Sequence, residues 1–156
     1  MKKQTVYFTG HRKVPQSDYK EIFERLKTTL INLISEGYRY FDVGGALGFD
    51  TIAAQTILLL KRDYPQIKLI LVLPCLSQTK GWAADDIRMY EYIKSFADEV
   101  KYTSEFYFNG CMHKRNRCLV DNSSVCVCYL TENKGGTYYT VSYAQKNGLR
   151  IINVAK

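Results

Sequence analysis

The fold is decided by Tyr40-Phe41-Asp42-Val43-Gly44-Gly45-Ala46-Leu47-Gly48-Phe49-Asp50-Thr51-Ile52-Ala53-Ala54. An apolar run, Tyr40 to Val43, breaks at Gly44-Gly45, passes Gly48, and resumes from Thr51 with helical spacing. This is a strand, a glycine-rich turn and a helix start. Glycine lacks a Cβ, so such a turn accepts positive φ and lets a ligand approach bare backbone. The unpaired N–H groups and positive dipole end of the following helix suit an anion. The turn therefore predicts a phosphate site. The spacing itself is neither the dinucleotide fingerprint nor a P-loop, because no Gly-Lys-Ser/Thr follows. A tight connection that needs small residues for packing explains the same glycines. A second turn of the same kind, Gly135-Gly136-Thr137, favours the ligand reading.

Outward from that stretch, strands and helices alternate. Thr5 to Thr9 reads as a first strand, with Gly10, His11 and Arg12 leaving its end. Ser17 or Asp18 is placed to cap a helix whose apolar positions, Ile22, Phe23, Leu26, Leu30, Leu33 and Ile34, recur at helical spacing up to Gly37. The helix after the glycine turn stops near Tyr64-Pro65. Lys68 to Leu73 is an aliphatic run, as expected of a strand covered on both faces. A loop holding Gln78 and Trp82 leads to a helix over 84–96. A short strand, Glu99 to Thr103, follows, then an aromatic loop, Ser104 to Gly110, that reads as packed or as a dimer contact. A helix over 112–121, a strand over 124–130, a turn and helix over 136–147 and a last strand over 150–154 complete the chain. The pattern predicts one α/β domain over residues 1–156, Rossmann-like, with a mainly parallel sheet of about six strands and helices on both faces. The turns after Gly10, Gly44-Gly45 and Gly135-Gly136 all leave the carboxyl ends of strands, where such sheets bind ligands.

Composition narrows the function. No apolar run is long enough to span a bilayer, and the N-terminus leads straight into a strand pattern, which predicts a cytoplasmic protein without membrane partners. Five cysteines, Cys75, Cys111, Cys118, Cys126 and Cys128, contain no Cys-x-x-Cys pair, so reduced thiols are expected rather than a metal centre or disulfides. A formal net charge of +7 suits a polyanionic ligand, but no basic run reaches five residues.

With these turns in view the chain resembles the SLOG superfamily, the Rossmann-like group that includes the lonely-guy phosphoribohydrolases and the DNA-processing protein A fold, and within it the small YpsA-like proteins. The resemblance spans nearly the whole chain. It rests on Thr9-Gly10-His11-Arg12, Gly44 to Asp50, Gln78 with Trp82, Arg115-Asn116-Arg117 with Val120-Asp121, and Gly135-Gly136-Thr137. In the lonely-guy enzymes a Met-His-x-Arg-Lys stretch and a Pro-Gly-Gly-x-Gly-Thr-x-x-Glu loop supply the arginine and glutamate that cleave nucleoside monophosphates. Met112-His113-Lys114-Arg115-Asn116 resembles the first. In the second, the glutamate position holds Thr140, whose hydroxyl has no acid–base capacity near neutral pH. Arg115, Asp50 and Glu132 are the candidate catalytic residues that remain.

The ligand-binding candidates are Thr9, Gly10, His11, Arg12, Gly44, Gly45, Gly48, Asp50, Gln78, Trp82, Arg115, Asn116, Gly135, Gly136, Thr137 and Thr140. Arg12 presents a planar fork that suits two phosphate oxygens. His11 suits a ribose or base edge. Asp50 either caps backbone N–H groups or holds a ribose hydroxyl, and Trp82 can stack on a base. The resemblance turns Arg115 and Asn116 inward, and Asp121 is expected to cap or to pair with one of the arginines. Tyr139 and Tyr143, one helical turn apart, read as core or subunit interface. Together these features predict a binder of a nucleotide or nucleotide-derived small molecule, ADP-ribose-like or a cyclic signalling nucleotide by the resemblance, acting as sensor, carrier or sequestering protein with no cofactor and no metal. The alternatives are a phosphoribohydrolase or N-glycosidase acting on nucleoside monophosphates or NAD-derived nucleotides, and a single-stranded nucleic-acid binder. A homodimer is expected.

Overall fold

A computed structural model describes residues 2–155. Thirteen elements follow one another. The strands are β1 (Thr5–Gly10), β2 (Tyr40–Val43), β3 (Lys68–Leu73), β4 (Glu99–Tyr102), β5 (Val125–Tyr129) and β6 (Arg150–Asn153). The helices are α1 (Tyr19–Ser35), α2 (Phe49–Lys61), α3 (Ala84–Phe96), α4 (Cys111–Asp121) and α5 (Gly136–Lys146), with short 3-10 turns at Lys2–Gln4 and Gln16–Asp18. The strands form one six-stranded sheet in the order β4-β3-β2-β1-β5-β6. Every neighbouring pair is parallel. The Rossmann-like α/β fold expected from the sequence is the fold observed.

Connectivity follows from the handedness of parallel crossovers. From β1 to β4 the chain steps in one direction, so α1, α2 and α3 lie on one face. There Phe8, Phe41, Leu69 and Leu71 pack on Leu26, Leu30, Ala53 and Ile57. The long return from β4 to β5 brings α4 and then α5 onto the other face, over Tyr7, Cys126 and Cys128. Alternation along β3 serves both: Leu69, Leu71 and Leu73 join the first core, and Ile70 and Val72 turn to the second face. The strand order reverses between β1 and β5, which opens a crevice at their carboxyl ends.

Two local expectations are corrected. Neither Ser17 nor Asp18 caps α1, since the N-cap Asp18 makes no side-chain hydrogen bond there. Gln16–Asp18 is a 3-10 turn that runs into the helix, so its backbone is already helical at φ −96° and ψ −9°. A side-chain cap needs extended backbone at that position. Asp121 pairs with neither arginine but accepts from Tyr143 Oη at 2.8 Å, tying α4 to α5. Among the described residues no helix is long and apolar enough to cross a membrane.

Candidate functional site

At the carboxyl edge of the sheet lies a cavity of about 700 Å³. Every strand-to-helix connection from β1 to β5 contributes to its wall. Thr9, Gly10 and Arg12 come from the end of β1, Ala46 and Asp50 from the turn after β2, and Ser77, Gln78, Lys80 and Trp82 from the loop after β3. The β4–α4 segment adds Tyr107, Met112, Arg115 and Asn116, and the start of α5 adds Gly136 and Thr137. Tyr7, pointing off β1 beneath α4 and α5, forms part of the floor.

The two glycine turns differ in what their bare faces meet. A Cβ at Gly44 would lie 2.8 Å from Arg115 Nη1, and one at Gly45 would lie 2.5 Å from Leu73 Cδ2. At Gly48, where φ is +76°, it would collide with the carbonyl oxygen of Arg12. Phe49 N donates to His11 O at 3.1 Å, so the loop after β1 is bound directly to the start of α2. The glycines of the first turn are therefore occupied by the protein's own atoms. Gly44, Gly45 and Gly48, expected to present open backbone to a phosphate, thus turn their Cβ sides to the protein's own atoms. What the turn does instead is let the 10–12 loop close in and hold Arg12 at the cavity.

The second turn is open. Gly135, at φ +93°, and Gly136 have nothing within 4 Å of a Cβ position. Gly135 is the N-cap of α5, and its carbonyl accepts from Tyr139 N at 3.0 Å. The N–H groups of Gly136, Thr137 and Tyr138 in the first turn have no intrahelical acceptor, as at any helix start. Thr140 is turned away: it is buried, donates to Gly136 O at 3.0 Å and accepts from Asn116 Nδ2 at 3.2 Å.

Charge in the cavity is divided by depth. Arg115 is buried on α4 and fixed by three contacts: Nη1 to Gly44 O, Nε to Asn116 Oδ1 at 2.7 Å, and Nη2 towards Met112 Sδ at 4.0 Å. Arg117, two residues on, is exposed. Arg12 and Lys80 are exposed at the rim. Asp50 is the buried carboxylate of the wall, and its Oδ2 accepts from Ala46 N at 3.1 Å. Burial pushes its carboxyl up to about 6, against the pull of the Arg115 charge, the Ala46 N–H and Arg12. The carboxylate thus braces its own turn while remaining on the cavity surface. Gln78 is buried and accepts from Tyr90 Oη at 3.3 Å. Trp82 stands edge-on to Tyr90 with ring centroids 5.5 Å apart.

Some sequence candidates stand off the cavity wall. His11 accepts from Thr131 N through Nε2 at 3.0 Å and meets the edge of Tyr129, so it ties two loops together. Glu132 is exposed and does not line the cavity. Gly135 adjoins the wall without forming it. The residues that sequence reasoning missed had partial signals. Ser77 and Lys80 share the loop of Gln78 and Trp82, and Ala46 lies inside the quoted stretch. The aromatic loop is not packed: Phe106, Tyr107 and Phe108 are 75%, 64% and 43% exposed, and Tyr107 reaches the cavity.

A model of the YpsA proteins, described as the YspA SLOG family, matches residues 7–151. The chain belongs to the YpsA SLOG family. This YpsA-family chain is 31% identical over 139 residues to the SPbeta prophage-derived protein YoqJ of Bacillus subtilis (strain 168), covering 81% of each. It is 30% identical over 134 residues to a UPF0398 protein of Bacillus thuringiensis (strain Al Hakam), covering 81% of this chain and 71% of that one. Among solved structures it resembles DNA processing protein A of Helicobacter pylori, described for its single-stranded DNA binding mode, with TM-score 0.67 and 20% identity over 94% of this chain. DNA processing protein A of Streptococcus pneumoniae gives TM-score 0.68 and 18% identity over 96%. The YpsA-family chain spans 63% and 50% of those two chains, and at such identities the likeness is one of fold.

Proposed function

We propose that the cavity binds a nucleotide-derived small molecule, with its phosphate on the first turn of α5 and its base beside Trp82. The observation that carries this reading is the meeting of an open helix N-terminus, Gly136-Thr137, with Arg12 and Lys80 on one cavity of about 700 Å³. Free N–H groups and a helix dipole favour an anion. Two exposed cations add charge, and Trp82, Tyr107 and Met112 supply apolar surface for a ring. Asp50 faces the same space and suits a ribose hydroxyl. ADP-ribose-like molecules and cyclic nucleotides meet these demands, and the role is that of a sensor, carrier or sequestering protein.

The test is to denature the purified protein, identify the released small molecules by mass spectrometry, and titrate ADP-ribose and AMP calorimetrically. Arg12→Ala is expected to weaken the nucleotide at least tenfold with little change in stability, because Arg12 is exposed. Release of free base in the same titrations would instead establish N-glycosidase action, with Asp50 as the carboxylate at hand. A second reading, single-stranded nucleic acid, is favoured by the exposed aromatic row Phe106, Tyr107 and Phe108, of which Tyr107 lines the cavity. It requires affinity that rises with oligonucleotide length and collapses with salt, whereas a mononucleotide site gives affinity independent of length.

A further inference from the structure

The helical layer over Tyr7 is incomplete. α4 and α5 cover β1, β5 and β6, and of β2, β3 and β4 the helix α4 reaches chiefly β3. Between α4 and those strands lies a second cavity, of about 510 Å³, which shares no lining residue with the first. Asp42 stands on its floor, beside Ile70 and Val72. It is 7% exposed, and its Oδ1 is the buried side-chain atom without a hydrogen-bond partner among the described residues. Its cross-strand neighbours in register are Tyr7 and Ile70, so an apolar side chain would fill the position without an unsatisfied oxygen. A buried carboxylate oxygen without a donor is costly, and a ligand that brings a donor recovers that cost.

The rest of the wall limits what the ligand can be. Lys101 from β4, Lys114 from α4 and Lys2 from the 3-10 turn before β1 line the same cavity. Burial pushes the Asp42 carboxyl up to about 7, with the Lys101 charge drawing it down and the Glu99 charge adding to the rise. Lys101 and Lys114 are loosely engaged: Lys101 Nζ lies 3.7 Å from Glu99 Oε1, and Lys114 Nζ lies 3.4 Å from Ser104 Oγ and 5.9 Å from the centre of the Phe108 ring. Exposed pairs of that kind yield readily to a ligand. A simple amine would meet the lysines as like charge, and a simple carboxylate would meet Asp42. A molecule bearing both charged groups on one carbon satisfies both.

We propose that this groove binds a free α-amino acid with an apolar side chain, its ammonium donating to Asp42, its carboxylate against Lys101 and Lys114, and its side chain on Ile70 and Val72. The experiment titrates the full-length protein with L-phenylalanine and follows backbone amide shifts by NMR, with phenethylamine and hydrocinnamate as single-charge controls. The expected result is saturable shifts at Ile70, Val72, Lys101 and Leu119, with each control at least tenfold weaker. Asp42→Asn, read alongside a thermal melt, is expected to fold and to weaken phenylalanine at least tenfold. Lys101→Gln, an exposed substitution that leaves the fold intact, is expected to weaken it several-fold. Absence of saturable shifts, equal affinity for either control, or unchanged affinity in Asp42→Asn or in Lys101→Gln would overturn the proposal. None of these results bears on nucleotide binding, which is read at Thr137 and Trp82.

Discussion

Gly48 shapes the cavity without lining it. Its φ of +76° and its contact with the Arg12 carbonyl both exclude a side chain. Gly48→Ala is expected to cost about 3 kcal/mol, read as a lower urea midpoint, because it combines left-handed strain with a backbone collision. Arg12 should lose its place in the same variant, so nucleotide affinity falls as well. Asp50 gives a prediction of a different kind. With its carboxyl raised to about 6, it is ionised at pH 7.5 and largely protonated at pH 5. A ribose hydroxyl that donates to the carboxylate is held above that value and released below it, so affinity is expected to fall several-fold between pH 7.5 and 5. Arg115, Arg12 and Tyr7 are the ionisable neighbours whose charge acts on this carboxyl or is acted on by it. Asp50→Asn should bind weakly and show no such step in calorimetric titrations across that range.

Among the elements, α5 carries most of the proposed phosphate site. Its first turn is open where that of α2 is occupied by the 10–12 loop. Gly136 is the first residue of the helix, a position that tolerates proline because its N–H has no intrahelical partner. Gly136→Pro therefore deletes one anion donor and leaves the helix intact. Phosphate-bearing ligands are expected to weaken about tenfold, the size of one charge-assisted hydrogen bond, with the melting temperature nearly unchanged. α4 supports α5 from behind: Asn116 links Arg115 to Thr140, and Asp121 links to Tyr143. Thr140, which takes the place of a catalytic glutamate in the family resemblance, is thus a buried strut between two helices. Its position in the sequence showed the substitution, and only the packing shows the new role.

The molecule as a whole has an uneven sheet. β1, β2, β3 and β5 are buried along most of their length, and every residue of the edge strands β4 and β6 is exposed or half-buried. Amide hydrogen exchange is expected to reflect this, with the slowest amides in β1, β3 and β5 and exchange at least tenfold faster in β4 and β6. Amides in β4 that slow on addition of an amino acid would place the ligand on the half-covered face. The exposed aromatics Tyr107, which lines the first cavity, and Phe106, Phe108, Tyr138 and Tyr139 form the other uneven feature of the surface. They remain available either to a nucleic-acid strand or to a second subunit, and the length dependence of binding separates these.

The alternation of strands and helices, the parallel sheet and the convergence of three turns at its carboxyl edge were all determined by the sequence. Hydrophobic period and glycine placement are local properties, and right-handed crossovers turn them into one topology. Which glycine turn is open was decided only by the tertiary structure. The same residue type serves both turns, and what fills the space beside it comes from Arg12, Leu73 and Arg115, distant in the chain. Asp42 makes the same point from the other side: within the quoted stretch it is one polar residue in an apolar strand. Its unpartnered oxygen exists because the return from β4 to β5 carries α4 across the sheet and leaves half of one face uncovered.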